Sequence, residues 1–277
     1  MTANSQGKAV RGLTLVGTPG SGVRAGTGNT AQLLNKVPQV VLLFWIVKMM
    51  STTVGETGAD LLSETLGWGL PITTVLVTVL LVIALFAQFR AHSYDPVRYW
   101  TVVVLISIAG TLASDMLVDL LGVTLIATTV LFSVLLAGAF IVWWRQERTL
   151  SIHTINTRRR EAFYWTAILV TFALGTAGGD LLGESLGLGY ALSALIFLGA
   201  VLLIALLHFA FRLGAVLAFW VAYILTRPLG ASLGDLLSQS KQHGGLGLGT
   251  IPVSIAFGIC IISAVAWFSR TERRRAA

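Results

Sequence analysis

Stretches of about twenty mostly apolar residues recur eight times along this chain, near residues 38–62, 70–89, 98–118, 121–144, 162–183, 188–208, 213–237 and 250–269. Each is long enough for one helix to cross a bilayer core. Lipid offers backbone N–H and C=O groups no partner, so runs of this kind fold as helices and not as open sheets or loops. Because the runs occupy most of the chain, they constitute the fold and are neither a cleaved leader nor a single anchor. Composition agrees, since 55% of the 277 residues are hydrophobic and 11% are charged, against roughly 25% charged in a soluble domain. A soluble enzyme is excluded, and no enzymatic activity is expected. The lone Cys260 excludes intrachain disulfides and multi-thiolate metal sites. Pro38, Pro71, Pro96 and Pro252 stand at or near the predicted helix starts, where a missing N–H matters least.

The net charge of +7 invites a nucleic-acid reading, but its distribution explains it otherwise. All of the 19 Lys and Arg except Lys48, Arg227 and Lys241 fall in the two tails or in the loops after even-numbered helices. Positive loops stay cytoplasmic, so both termini are expected inside and the odd helices run outward. The Arg158 to Arg160 cluster needs no nucleic acid to account for it. Residues 1–35, rich in Gly, Thr, Ser and Asn, read as a disordered cytoplasmic tail. Residues 36–90, 91–145, 146–210 and 211–270 read as four hairpin units, the third with a cytoplasmic loop before it. A basic cytoplasmic tail is expected over 271–277.

Those units repeat. With Trp45, Trp100, Trp165 and Trp220 in register, Gly55, Gly110, Gly175 and Gly230 follow ten residues later, then Asp60, Asp115, Asp180 and Asp235 five beyond. The aligned pattern is [FY]-W-x9-G-x3-[GAS]-D-x3-[EDQ], once per odd helix. Four matches with the same internal spacing define tandem repeats. The expected fold is therefore an all-α polytopic membrane protein, with eight transmembrane helices arranged as four parallel tandem helical hairpins and the odd helices central. The aspartates then share one depth.

These residues resemble a family of bacterial membrane proteins built from tandem two-helix repeats of unknown function, described as uncharacterised membrane-anchored proteins. The resemblance covers about residues 36–270 and implies an integral protein of the bacterial inner membrane. It implies no activity. The fourth copy departs most, with Ala231 where the others have Glu or Thr, Gln239 where they have an acid, and the added pair Arg227 and Pro228.

Each repeated residue type has a physical reading. Trp close to cytoplasmic positive charge reads first as an interfacial anchor, with packing between repeats as the alternative. Gly55 and Ala59, Gly110 and Ser114, Gly175 and Gly179, and Gly230 and Gly234 are small residues four apart, which lets helix backbones approach closely in lipid. The odd helices are therefore expected to touch one another, with the even helices, rich in Leu, Val, Ile and Phe, facing lipid. The fifteen residues from Trp to Asp climb about 22 Å at ~1.5 Å per residue, placing Asp in the outer leaflet of a core roughly 30 Å thick. Charges at such depth are expensive and need partners, protons, water or a cation.

Glu56, Asp60 and Glu64 are spaced by four, as are Thr111, Asp115 and Asp119, and again Thr176, Asp180 and Glu184, so each set shares a helix face. Lys48 and Arg227 lie too far around their own helices to pair with Asp60 or Asp235. Carboxylate and hydroxyl oxygens without Cys suit hard divalent cations, Mn²⁺ or Mg²⁺ ahead of others, or protons. On this reading Asp60, Asp115, Asp180 and Asp235 bind, Glu56, Glu64, Asp119 and Glu184 attract cations at the outer mouth, and Thr111 and Thr176 add oxygen ligands. The leading expectation is a divalent-cation transporter, with proton coupling open. A passive channel with an acidic ring and a non-transporting scaffold are the alternatives. The expected partners are the lipid bilayer and an inorganic cation, with no nucleic acid; a homo-oligomer stays open. The four histidines, His92, His153, His208 and His243, read as surface residues. Residues 244–249 (GGLGLG) read as a flexible outer loop, and Pro228 reads as a kink.

Overall fold

The computed structural model describes residues 35–276, with side chains as far as Thr271. Of the tail expected over residues 1–35, residues 1–34 lie outside the described residues. Eight long helices follow in order: α1 Leu42–Asp60, α2 Leu70–Phe89, α3 Pro96–Asp115, α4 Leu125–Glu147, α5 Arg158–Asp180, α6 Gly189–Phe211, α7 Ala215–Ser238 and α8 Thr250–Ala276. All but α1 are long and apolar enough to cross a membrane; α1 carries Lys48, Glu56 and Asp60. The chain is a polytopic, all-α membrane protein. Helix starts follow the local chemistry, with Pro71 and Pro96 in first turns. Thr124 and Thr157 side chains cap α4 and α5. Residues 271–276, expected as a tail, continue the α8 backbone helix.

Four odd helices form a closed central ring in which α1 packs on α3, α3 on α5, α5 on α7 and α7 on α1. The even helices surround them and expose large apolar side chains such as Ile72, Val134, Leu195 and Ile262, as expected for a lipid-facing layer. The hairpins, however, do not close on themselves. Each even helix leans away from its own odd helix and packs on the next: α2 on α3, α4 on α5, α6 on α7, and α8 back on α1. The two helices of one repeat are joined by a tight turn, in which Gly67 and Gly69, like Gly187 and Gly189, have positive φ. This is why the first and third repeats share L-G-x-G there.

The repeated residues set the register around the ring. A Cβ on Gly55 would collide with Ser107, on Gly110 with Phe172 and the backbone of Ala173, on Gly175 with Arg227, and on Gly230 with Thr52. Every contact joins a repeat glycine to the residue three before the glycine of the next repeat, and the fourth closes on the first. The aromatic pairs repeat the rule. Phe44 meets Trp100 at 5.7 Å, Tyr99 meets Trp165 at 5.4 Å, Tyr164 meets Trp220 at 6.2 Å, and Phe219 meets Trp45 at 5.7 Å between ring centroids. Trp100, Trp165 and Trp220 are buried and Trp45 partly so. The anchor reading of these tryptophans is thereby corrected: they are the packing joints between repeats, because each needs the preceding repeat's Phe or Tyr as a wall.

This aromatic end is sealed further by a buried ion pair. Lys36 Nζ lies 2.7 Å from Glu161 Oε2, and Gln88 Nε2 donates to Glu161 Oε1 at 3.1 Å. One buried carboxylate thus ties the segment before α1 and the end of α2 to the start of α5.

Candidate functional site

At the opposite end, three odd helices change winding immediately after their aspartates. Leu61–Thr65, Met116–Leu120 and Leu181–Ser185 are π-helical turns, wider than α and common at functional sites. The fourth repeat has no such turn; α7 runs on to Ser238. The glycine-rich segment after it then folds back. Leu246, Gly247, Leu248 and Gly249 donate backbone N–H groups to the carbonyls of Leu236, Gln239, Leu237 and Ser238. The loop expected to be flexible is therefore a cap that satisfies the end of α7, and a Cβ on Gly245 would strike the Gln239 backbone. Gly245→Ala is expected to lower thermal stability, whereas Gly122→Ala, in an open turn at positive φ, carries only the smaller backbone strain; melting in detergent distinguishes the two.

Side chains at equivalent repeat positions converge. Glu56, Thr111 and Thr176 each follow the repeat glycine, and Thr111 Oγ1 lies 3.2 Å from Glu56 Oε2 and 3.4 Å from Thr176 Oγ1. Arg227 reaches into this level from α7. Its Nη1 and Nη2 donate to Glu56 Oε2, both at 3.1 Å, and Nη2 also donates to Thr111 Oγ1 and Thr176 Oγ1. Arg227 is fully buried, and one guanidinium thus binds all three of the other odd helices. Its stem lies where Gly175 has no side chain. Lys48 lies on the aromatic side of this plug, donating to Tyr223 O at 3.0 Å and Thr226 Oγ1 at 2.6 Å, with the Tyr223 ring 4.6 Å away. Beyond it, the hydroxyls of Tyr99 and Tyr164 are 2.6 Å apart. Lys48, Tyr99, Tyr164 and Tyr223 are all fully buried between the plug and the aromatic end.

One turn in the other direction stand the aspartates. Asp60, Asp115 and Asp180 are half-buried and Asp235 is 7% exposed. Carboxylate oxygens of Glu56, Asp180 and Asp235 all lie within 4.8 Å of one another, a spacing that fits one oxygen-liganded cation. Asp235 accepts no side-chain hydrogen bond among the described residues. Asp60 accepts a long bond from Gln239 Nε2 at 3.4 Å and stands outside that close group, as does Asp115. A further turn out, Glu64, Asp119 and Glu184 are exposed, forming an open acidic mouth. Tyr190 OH donates to Glu184 Oε1 at 3.3 Å.

Two expectations change. Glu56 is not at the mouth; it is the floor of the vestibule, because α1 runs toward the mouth and Glu56 precedes Asp60 by a turn, about 6 Å. Thr111 and Thr176 spend their oxygens on Arg227 and Glu56 in this arrangement. Sequence reasoning missed the Arg227 plug because its partner Glu56 is 171 positions away. The available signal was the register itself, which sets Arg227 at the position of Thr52, Ser107 and Phe172. As expected, His92, His153 and His243 are exposed, and His208 is partly so, with its Nδ1 2.7 Å from Leu213 O.

No curated protein and no solved structure gives a significant match to the chain. A family model does match, four times in tandem, over residues 43–94, 98–149, 163–213 and 218–274. Those limits coincide with the repeats whose glycines and aromatic pairs interlock around the ring. The chain belongs to the family described as Repeat of Unknown Function (DUF347), of which it carries four copies.

Proposed function

We propose that this protein binds and transports a hard divalent cation, with Mn²⁺ or Mg²⁺ ahead of others, and that it is not an enzyme. One observation carries the reading. Glu56, Asp180 and Asp235 present three carboxylates within 4.8 Å against the single guanidinium of Arg227. When all are ionised, two negative charges remain for one divalent ion to cancel. Nearly buried Asp235 lacks any other partner among the described residues to do so, and unpaired charge at such depth is costly. Asp60 and Asp115 extend the site toward the mouth, while Glu64, Asp119 and Glu184 concentrate cations there through a screened field. The plugged axis favours a transporter over a standing pore. In this proposal α1 also crosses, making eight spans, both termini are cytoplasmic, and the vestibule opens outward from a bacterial inner membrane.

The test is Mn²⁺ binding by the purified full chain in lipid nanodiscs. Asp180→Asn and Asp235→Asn should each weaken binding at least tenfold, and Glu64→Gln or Glu184→Gln only a few-fold. Asn variants that melt earlier yet bind Mn²⁺ as before would favour the scaffold reading. Orientation is checked separately. Tags near Gly69, Gly187 or Gln242 should label from outside and tags near His92 or His153 from the cytoplasm; the reverse pattern would turn the vestibule inward.

A further inference from the structure

Arg227 is a cation already seated on the cation site. It shares Glu56 with Asp180 and Asp235, the only such carboxylate group among the described residues, and all of its bonded partners lie on the other three odd helices. Only Glu56 Oε2 is taken by the guanidinium and by Thr111, so Oε1 remains for an incoming ion. That ion would then sit on the same carboxylate as Arg227. We infer that Arg227 is a tethered counter-cation that competes with the bound divalent ion for Glu56, so that loading the vestibule loosens the plug across the axis. This rests on the cation-binding reading and specifies how the site would be regulated.

Three further features fit a plug built to release. Its Nε is buried without a hydrogen-bond partner, so the guanidinium is held only through its outer nitrogens. Pro228 follows directly inside α7 and has no N–H to give the carbonyl of Ile224, which weakens the helix at that point. Lys48 stands behind the plug and occupies the space that a deeper seat for Arg227 would need. The other three repeats have Thr52, Ser107 and Phe172 at this position, so the ring closes sterically without a charge there. Asp235, nine-tenths buried and unpartnered, points into the same group from the plug's own helix.

The experiment compares Mn²⁺ affinity of the full chain in nanodiscs for the wild type, Arg227→Gln and Arg227→Lys. Competition predicts that Arg227→Gln binds Mn²⁺ at least tenfold more tightly, while Arg227→Lys, which keeps the charge but not the forked donors, gains less than Arg227→Gln. A second measurement needs no change at Arg227. In a Val103→Cys, Cys260→Ser chain the new thiol lies at the repeat position of Lys48 and Tyr223, a turn behind the plug. Saturating Mn²⁺ should raise its rate of reaction with a charged thiol reagent at least fivefold. A folded Arg227→Gln chain with unchanged or weaker affinity, or a labelling rate indifferent to Mn²⁺, overturns the competition. Mn²⁺ binding that Asp180→Asn abolishes but Arg227→Gln leaves unchanged would overturn it alone. No Mn²⁺ bound by any of these chains would remove the cation site together with it.

Discussion

Gly110→Ala is expected to destabilise the protein by about 1–2 kcal/mol, the overpacking cost less the helix-forming gain of alanine, whereas Gly199→Ala should leave it unchanged or up to about 1 kcal/mol more stable. Alanine is the better helix former by roughly 0.5–1 kcal/mol, and at Gly199, on the outer α6, an added Cβ meets nothing within 4 Å. At Gly110 the same atom would stand 2.6 Å from Phe172 Cβ and 2.9 Å from Ala173 N. The backbone of α5 cannot step aside without disturbing the ring, and overpacking of this kind typically costs about 1–3 kcal/mol. Reversible unfolding of the two variants in matched detergent reads the difference. Equal stabilities would show that the small residues do not set the distance between inner helices.

Lys36→Met should be the most damaging single change far from the vestibule, lowering stability by about 3–5 kcal/mol. Removing one partner of a buried ion pair strands the other, and the Glu161 side chain is only 1% exposed. Gln88 remains as a donor, but one amide does not replace an ammonium at 2.7 Å. The double variant Lys36→Met, Glu161→Leu should recover most of the loss, since replacing both charges with apolar groups is often neutral. A double variant as unstable as Lys36→Met would mean that lost packing, and not the stranded carboxylate, is responsible.

The helix boundaries and the fourfold register were legible in the sequence because both are local or periodic. The span read at 70–89 is α2, Leu70–Phe89, since a bilayer fixes the length of an apolar run. Order along the axis was legible in part, because parallel repeats put equivalent residues on one level; Glu64, Asp119 and Glu184 lie beyond the aspartates as read, but Glu56, read as part of the mouth, is buried a turn before Asp60. Partnership was not. Nothing in the spacing of Leu and Val along α2 tells whether it covers α1 or α3, since either face offers the same apolar contact. The tryptophans were misread for a related reason. A Trp near Arg98 or Arg160 looks the same in sequence whether its neighbour is a headgroup or the Tyr of another repeat. Arg227 was visible as the odd member of its position, but its choice of Glu56, Thr111 and Thr176 depends on three helices meeting. Only the assembled ring defines that point.

The offset covering of the ring bears on how the molecule is made. α1 is the first of the eight helices to be synthesised and carries Lys48, Glu56 and Asp60, yet it packs on α7 and α8. Its lysine and glutamate find their partners Thr226 and Arg227 only after six more helices have been made. Until α7 is made, Lys48 lacks Tyr223 and Thr226, and Glu56 lacks the guanidinium of Arg227. A chain truncated before α7 would lack all of these partners, and it is the last repeat, the one most altered in sequence, that closes the ring on α1.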